Sequence, residues 1–383
     1  MKILSVVGAR PNFMKISPFI KAVKNFKTDS NLQHILVHTG QHYDVRMSEQ
    51  FFKELDIPEP DINLEIGSGT HAEQVGQTMM EFEKVLRQEK PDWVVVVGDV
   101  NATLACSVTA KKEHIKCCHI EAGLRSGDME MPEEINRLVT DRLCDLLLTP
   151  DELSSENLRK EGVPEEKIGF VGNIMIDTLE ANRDKAEDIS LDDILIKNKI
   201  KDLASGTKAL DKENYAVLTL HRPSNVDHQN ILGPIINFLT GEVSKDMDLI
   251  WPIHPRTRKM AEEFGLWEEL VNKEGLYLLE PVGYHDMLKL NMGARIMLTD
   301  SGGLQEECTV LGTPCLTLRW NTERPVTLRD HGGASVLVGN NIERIRKEYR
   351  YTIKQPRKPE RPPLWDGKTA ERCLEAMVNY GQR

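Results

Sequence analysis

The chain has 383 residues, 40% hydrophobic, 28% charged and 5% aromatic, with 26 glycines and 19 prolines. That length and composition suit a globular protein of two to three domains and exclude a collagen-like, mucin-like or wholly disordered chain. The formal net charge is −11; residues 340–383 hold eleven basic and six acidic side chains, so residues 1–339 carry −16, a poor generic nucleic-acid surface.

In chain order, residues 2–7 read as a buried strand, followed by Gly8-Ala9-Arg10-Pro11 and an amphipathic segment over 14–26. A short strand at 34–38 runs into the polar turn Thr39-Gly40-Gln41-His42, and helical stretches are expected near 48–55 and 72–89. Residues 93–97 are a continuous apolar run ending at Gly98-Asp99. Helix and strand patterns alternate through 102–114, 117–120, 134–144, 146–149 and 154–161 to Ile168. This alternation predicts a parallel sheet covered by helices on both faces. The charged, weakly periodic stretch 182–212 is where a domain boundary is expected. A second series follows, with strands at 216–220, 249–253, 277–279, 295–299 and 315–318 and helices at 231–240 and 304–311. The fold class is α/β, with two Rossmann-like domains facing a cleft.

Seven cysteines occur without a Cys-x-x-Cys pair, which excludes a zinc-ribbon or redox-pair motif and fits a reducing, cytoplasmic setting. The stretch before Gly8 is too short for a signal peptide and no apolar run reaches 18 residues, so neither a leader nor a membrane span is expected. His34, His38 and His42 are four apart, but on an extended strand that spacing separates neighbours by about 13 Å, so no shared metal is expected.

Ligands of open parallel sheets bind beyond the carboxyl ends of the strands. Arg10, Asp99, Glu121, His221, His254 and Asp300 all fall at such ends. Asp99 and Asp300 could instead cap the helices that follow them. No Gly-x-Gly-x-x-Gly or Gly-x-x-x-x-Gly-Lys-Ser/Thr motif is present, which disfavours a dinucleotide held in the usual way. Gly8 allows close backbone approach, and Arg10 and Lys15 add positive charge. Ser301-Gly302-Gly303 at a helix start offers amides suited to a diphosphate, and Glu306 or Glu307 beyond it could hold ribose hydroxyls. Glu133 and Arg137 are four apart and share a helix face, as a surface pair or as part of a pocket. If Asp99, Glu121 and Glu133 converge, their mutual repulsion leaves a proton donor at neutral pH.

Taken together, these segments resemble the UDP-N-acetylglucosamine 2-epimerase family, in its non-hydrolysing branch. The resemblance is carried, in order, by Gly8-Ala9-Arg10-Pro11 with Lys15, Thr39-Gly40-Gln41-His42, Val97-Gly98-Asp99 and the run from His119-Ile120-Glu121 to Arg125. It continues with Pro132-Glu133-Glu134-Ile135-Asn136-Arg137, Gly172-Asn173, His221-Arg222, the run from Thr299-Asp300 to Glu307, Gly312-Thr313-Pro314 and Thr322-Glu323-Arg324-Pro325. It implies a glycosyltransferase-B-like fold with the active site in the cleft. It implies a first domain over 1–185, a nucleotide-binding domain over 186–365, and a C-terminal helix in 366–383 crossing back onto the first. It implies a homodimer that needs neither cofactor nor metal.

The activity so implied is reversible conversion of UDP-N-acetylglucosamine to UDP-N-acetylmannosamine. UDP leaves C1 while the C2 proton is taken; UDP then adds back to the 2-acetamidoglucal, and C2 is protonated on its other face. By motif, Asp99, Glu121 and Glu133 are the proton-handling candidates, joined by His221 at the diphosphate. Arg10, Lys15, Arg137 and His254 contact substrate, Ser301, Gly302 and Gly303 the diphosphate, and Glu307 the ribose. Three departures stand out: a shorter stretch over 127–132, Ser224 where the family's His-Arg-x-Glu-Asn has glutamate, and Tyr43 after Gln41-His42. They weaken the expectation of activation by a second substrate molecule and leave open a related UDP-diacetamido sugar. A hydrolysing epimerase, a sugar transferase and a non-catalytic nucleotide-sugar sensor are the competing readings.

Overall fold

The computed structural model describes residues 1–26, 32–40, 54–200 and 209–380, without the side chains of Arg10 and Pro11. The helix expected near 48–55 and the Gln41-His42-Tyr43 turn fall largely outside the described residues. The chain divides into two compact units, Met1–Ala181 with Pro362–Arg383, and Asn182–Arg361. Each is Rossmann-like and α/β, the glycosyltransferase-B-like class.

The first unit holds β1 (Lys2–Val7), β2 (Gln33–His38), β3 (Ile62–Asn63), β4 (Trp93–Val97), β5 (Lys116–Ile120), β6 (Leu146–Thr149) and β7 (Ile168–Phe170). All pair in parallel, in the order β3-β2-β1-β4-β5-β6-β7. The apolar run of β4 is buried along its whole length, because helices cover both faces of a parallel sheet. Strand order reverses between β1 and β4, and the crevice beyond such a switch point is where doubly wound sheets receive ligands.

The second unit holds β8 (Tyr215–Thr219), β9 (Asp248–Pro252), β10 (Leu276–Leu279), β11 (Ile296–Thr299), β12 (Cys315–Thr317) and β13 (Ser335–Leu337), ordered β10-β9-β8-β11-β12-β13 and all parallel. Alternate side chains feed two apolar layers: Leu218, Trp251 and Leu298 pack on one face, Val217, Ile250 and Met297 on the other. Its switch point lies between β8 and β11.

The chain returns to the first unit after Arg361. Trp365 donates Nε1–H to the Pro150 carbonyl at 2.9 Å, and Tyr380 packs edge-on against Trp93 with centroids 4.9 Å apart. Asp177 accepts from the amides of Thr369 (3.0 Å) and Ala370 (2.7 Å), satisfying the first turn of the helix Thr369–Val378. Gly172 allows the return: a Cβ there would lie 2.1 Å from the Leu364 carbonyl oxygen, and its φ is +94°.

Candidate active site

In the first unit the switch point gathers side chains from four segments. The helix Arg10–Asn25 starts directly after β1, and Asn12 ties it down: its Oδ1 accepts from the amides of Gly8 (3.1 Å) and Ala9 (3.2 Å), and its Nδ2 donates to the Val97 carbonyl (2.9 Å). One turn on, the buried Lys15 ammonium pairs with Oε2 of the buried Glu121. Glu121 follows β5 in the left-handed region at φ +74°, unusual for a residue with a side chain and concentrated at functional sites. Gly98 makes room for the pair; a Cβ there would lie 2.8 Å from Lys15 Nζ and 3.5 Å from Glu121 Oε2.

Asp99 follows Gly98 and faces Arg137, whose Nη2 lies 2.9 Å from Oδ2 and whose Nε donates to it at 3.1 Å. The helix cap considered for Asp99 is not what forms: the next helix, Asn101–Lys112, has Val100 at its N-cap and no side-chain cap. Arg137 also pairs with Glu134, not with Glu133 as the i,i+4 spacing suggests. On the helix Pro132–Leu143 both glutamates flank Arg137, and burial decides between them. Glu134 is buried and accepts from the amides of Ser126 (3.0 Å) and Gly127 (2.9 Å). Glu133 is half-buried in the first turn, with no ion pair among the described residues. Thus Asp99 and Glu121 each meet a cation, where the sequence suggested three carboxylates repelling one another.

Behind this surface lies a closed histidine–aspartate pair. His119 Nδ1 is 2.6 Å from Asp141 Oδ1, its Nε2 is 2.8 Å from the Gly98 carbonyl oxygen, and the ring is fully buried. Asp141 Oδ2 accepts from the Gly123 amide (3.0 Å) and Arg125 Nη1 (2.7 Å). Burial would raise the Asp141 pKa, but the contacts with His119 and Arg125 outweigh it and hold the carboxyl below its ordinary value. The pair pins the backbone on both sides of Glu121 and just before Asp99.

In the second unit, Asp300 follows β11 and is fully buried. Its Oδ2 accepts from the amides of His221 (3.0 Å) and Arg222 (2.8 Å) and from Asn225 Nδ2 (3.1 Å). Its Oδ1 lies 2.7 Å from His221 Nδ1. Burial raises the Asp300 pKa, yet the contacts from His221 and Arg222 hold it below the usual value. Asp300 therefore does not cap the following helix; it anchors the loop after β8. His221 is 43% exposed and its ring centroid is 5.6 Å from that of His254. His254 caps the helix Pro255–Glu263, accepting from the Arg256 amide at 3.2 Å.

Ser301 is the N-cap of the helix Gly302–Leu311 and makes no side-chain cap, so the first-turn amides of Gly302 and Gly303 are directed at whatever lies beyond the strand ends. Beneath them is a buried cluster of two arginines and two glutamates. Arg319 Nη2 is 2.6 Å from Glu323 Oε2, Arg324 Nη1 meets Glu323 Oε1, and Arg324 Nε is 2.8 Å from Glu306 Oε1. A Cβ at Gly302 would lie 2.9 Å from both Arg324 Nη1 and Glu323 Oε1. Glu306 is thus committed to Arg324. Burial, and then the neighbouring Glu306, push the Glu307 carboxyl up to about 7, partly offset by the polar groups of Tyr284 and Asn291.

A family model described as UDP-N-acetylglucosamine 2-epimerase matches residues 24–378. The chain belongs to the UDP-N-acetylglucosamine 2-epimerase family. It is 42% identical over 383 residues to the UDP-N-acetylglucosamine 2-epimerase of Methanocaldococcus jannaschii, covering 100% of both chains. The crystal structure of that epimerase in complex with UDP-GlcNAc and UDP is similar to this one with a TM-score of 0.87, 41% identity and 100% coverage of both chains. The UDP-2,3-diacetamido-2,3-dideoxy-D-glucuronate 2-epimerase of Pseudomonas aeruginosa is 38% identical over 382 residues, 99% of each.

Within this epimerase-family chain, the structure brings Lys15 to Glu121, Arg137 to Asp99 and His221 to His254, and sets Ser301, Gly302 and Gly303 at a helix start. It places Glu133 on the first turn of its helix. The Arg10 side chain lies outside the described residues. Sequence reading missed Glu134, His119, Asp141 and Arg319 as working parts. His119 and Glu134 stand inside the quoted motifs without a role of their own, and the His119–Asp141 pair spans 22 residues, so no local pattern marked it.

Proposed function

We propose that the chain interconverts UDP-N-acetylglucosamine and UDP-N-acetylmannosamine, retaining UDP on the sugar, through elimination and re-addition of UDP. The observation that carries this reading is the pair of cation–carboxylate contacts, buried for Lys15 with Glu121 and half-buried for Arg137 with Asp99, at the switch point of the first unit. A nucleotide-sugar sensor gains nothing from two carboxylates held against cations at strand ends, Asp99 half-buried and Glu121 buried in the left-handed backbone region.

The chemistry follows from what each group can do. The C2 proton is not next to a carbonyl, so it is removed only as the C1–O bond to UDP breaks. Asp99 and Glu121, held by cations, act as bases and return a proton on the opposite face; Glu133 is the third proton-handling candidate. Arg10, Lys15 and Arg137 supply positive charge. In the second unit the amides at Ser301, Gly302 and Gly303, with His221 and His254, stabilise the departing diphosphate, and Glu307 holds the ribose. The reading invokes no cofactor or metal, and a cytoplasmic homodimer is part of it.

Separation of products after incubation with UDP-N-acetylglucosamine tests it. A mixture of the two UDP-sugars is the expected result. Accumulation of UDP and free N-acetylmannosamine would identify a hydrolysing epimerase instead. A second substrate class is favoured by the 38% identical diacetamido-glucuronate enzyme. Comparison of kcat/KM for the two UDP-sugars decides between them.

A further inference from the structure

The buried carboxylate of Asp300 has more partners than loop anchoring requires. Three donors, the amides of His221 and Arg222 and the Asn225 side chain, converge on Oδ2. Oδ1 is left facing one group, the His221 ring, at 2.7 Å. Two lone pairs at that separation would repel. With Asp300 ionised among these donors, the proton between the two atoms belongs to Nδ1. The His221 side chain is 43% exposed, and Asp300 directly precedes Ser301, the N-cap of the Gly302–Leu311 helix.

We propose that Asp300 is a positioning residue for His221: it fixes the proton on Nδ1, so that Nε2 is the ring atom presented to the diphosphate oxygen that leaves C1. This inference rests on the epimerase reading. When the C1–O bond breaks, its electron pair stays on the diphosphate oxygen and the C2 proton goes to a carboxylate of the first unit. The doubly protonated ring gives its Nε2 proton to that oxygen and is left as the Nδ1–H tautomer. On re-addition the oxygen attacks C1 and returns the proton to Nε2.

The substitution Asp300→Asn discriminates a positioning role from a merely structural one. An amide has one acceptor oxygen, and the three converging donors claim it. Its NH₂ group then faces the ring and forces Nδ1 to accept, which moves the ring proton to Nε2. The ring can still donate a hydrogen bond to UDP, but it no longer cycles a proton through Nε2. Turnover should fall about 10²–10⁴-fold while UDP affinity changes less than about threefold.

Nitrogen NMR of ring-labelled histidine, with the His221 signal assigned through its loss in His221→Gln, reads the tautomer with UDP bound. Nδ1–H in the parent protein and Nε2–H in Asp300→Asn are the expected result. An unprotonated Nδ1 in the parent protein overturns the proposal even if the variant does not fold. Unchanged turnover in a folded Asp300→Asn overturns it equally. If the parent protein binds UDP but epimerises nothing, the epimerase reading fails, and the tautomer measurement still stands on its own.

Discussion

Two histidine–aspartate pairs of similar reach, one in each unit, stand among the described residues. In the first unit His119 and Asp141 are 2.6 Å apart, the other ring nitrogen is occupied by the Gly98 carbonyl, and the ring is wholly buried. In the second unit His221 and Asp300 are 2.7 Å apart, and the His221 side chain is 43% exposed. The first pair has no atom left for a substrate and serves to hold the backbone around Glu121 and Asp99. The second has one. On the proposed reading, identical residue types become scaffold or chemistry according to whether the second ring nitrogen is spoken for.

The largest expected effect lies on the surface that the closed pair supports. Glu121→Gln and Asp99→Asn keep the shape of each side chain and remove proton transfer. Turnover should fall about 10²–10⁴-fold in each, with UDP affinity from calorimetry within about threefold of the parent. Full turnover in either variant removes that residue from the mechanism.

Asp141→Asn sharpens the contrast between the pairs. Breaking a buried charge pair by removing one partner typically costs about 3–5 kcal/mol, so this variant should lose that much in urea unfolding. Its turnover should recover where the fold is stabilised. If Asp141→Asn were stable but inactive, the closed pair would be a chemical one and the comparison would break.

A third effect concerns pH. The Glu307 carboxyl is raised from 4.5 to about 7 in the folded chain, chiefly by burial. Between those values the folded state holds a proton that the unfolded state has lost. Stability therefore falls as pH rises through this window, by about 3 kcal/mol in all. Glu307→Gln lacks the group. The stability difference between the two proteins should shift by that amount between pH 4.5 and 7 and stay constant above it. A flat difference across the window contradicts the burial argument. The smallest effect is expected at the chain's return: Asp177→Ala leaves the amides of Thr369 and Ala370 uncapped and should cost about 1–2 kcal/mol of stability without moving the UDP affinity.

Much of this architecture is legible in the sequence, for physical reasons that also mark where reading fails. The run at β4 is uninterrupted because both sheet faces are covered, and the polar residues after strands mark the ligand-facing edge. β3, Ile62–Asn63, and β13, Ser335–Leu337, are two and three residues at sheet edges, too short to show a period. Spacing pointed to Glu133 as the partner of Arg137, whereas Glu134 wins through amides contributed by a loop. His119 and Asp141 are 22 residues apart, and Asp300 meets His221 across 79. No local pattern reports such pairs; the parallel topology creates them by placing strand ends side by side.

The most direct measurement of the central claim is the fate of the C2 hydrogen during turnover of UDP-N-acetylglucosamine in deuterated water. Elimination and re-addition with carboxylates of the first unit as proton carriers predicts both UDP-sugars with one deuterium at C2, seen by mass spectrometry and by loss of the C2 proton signal. Interconversion with the original hydrogen retained, or deuterium found only in free sugar, would contradict it.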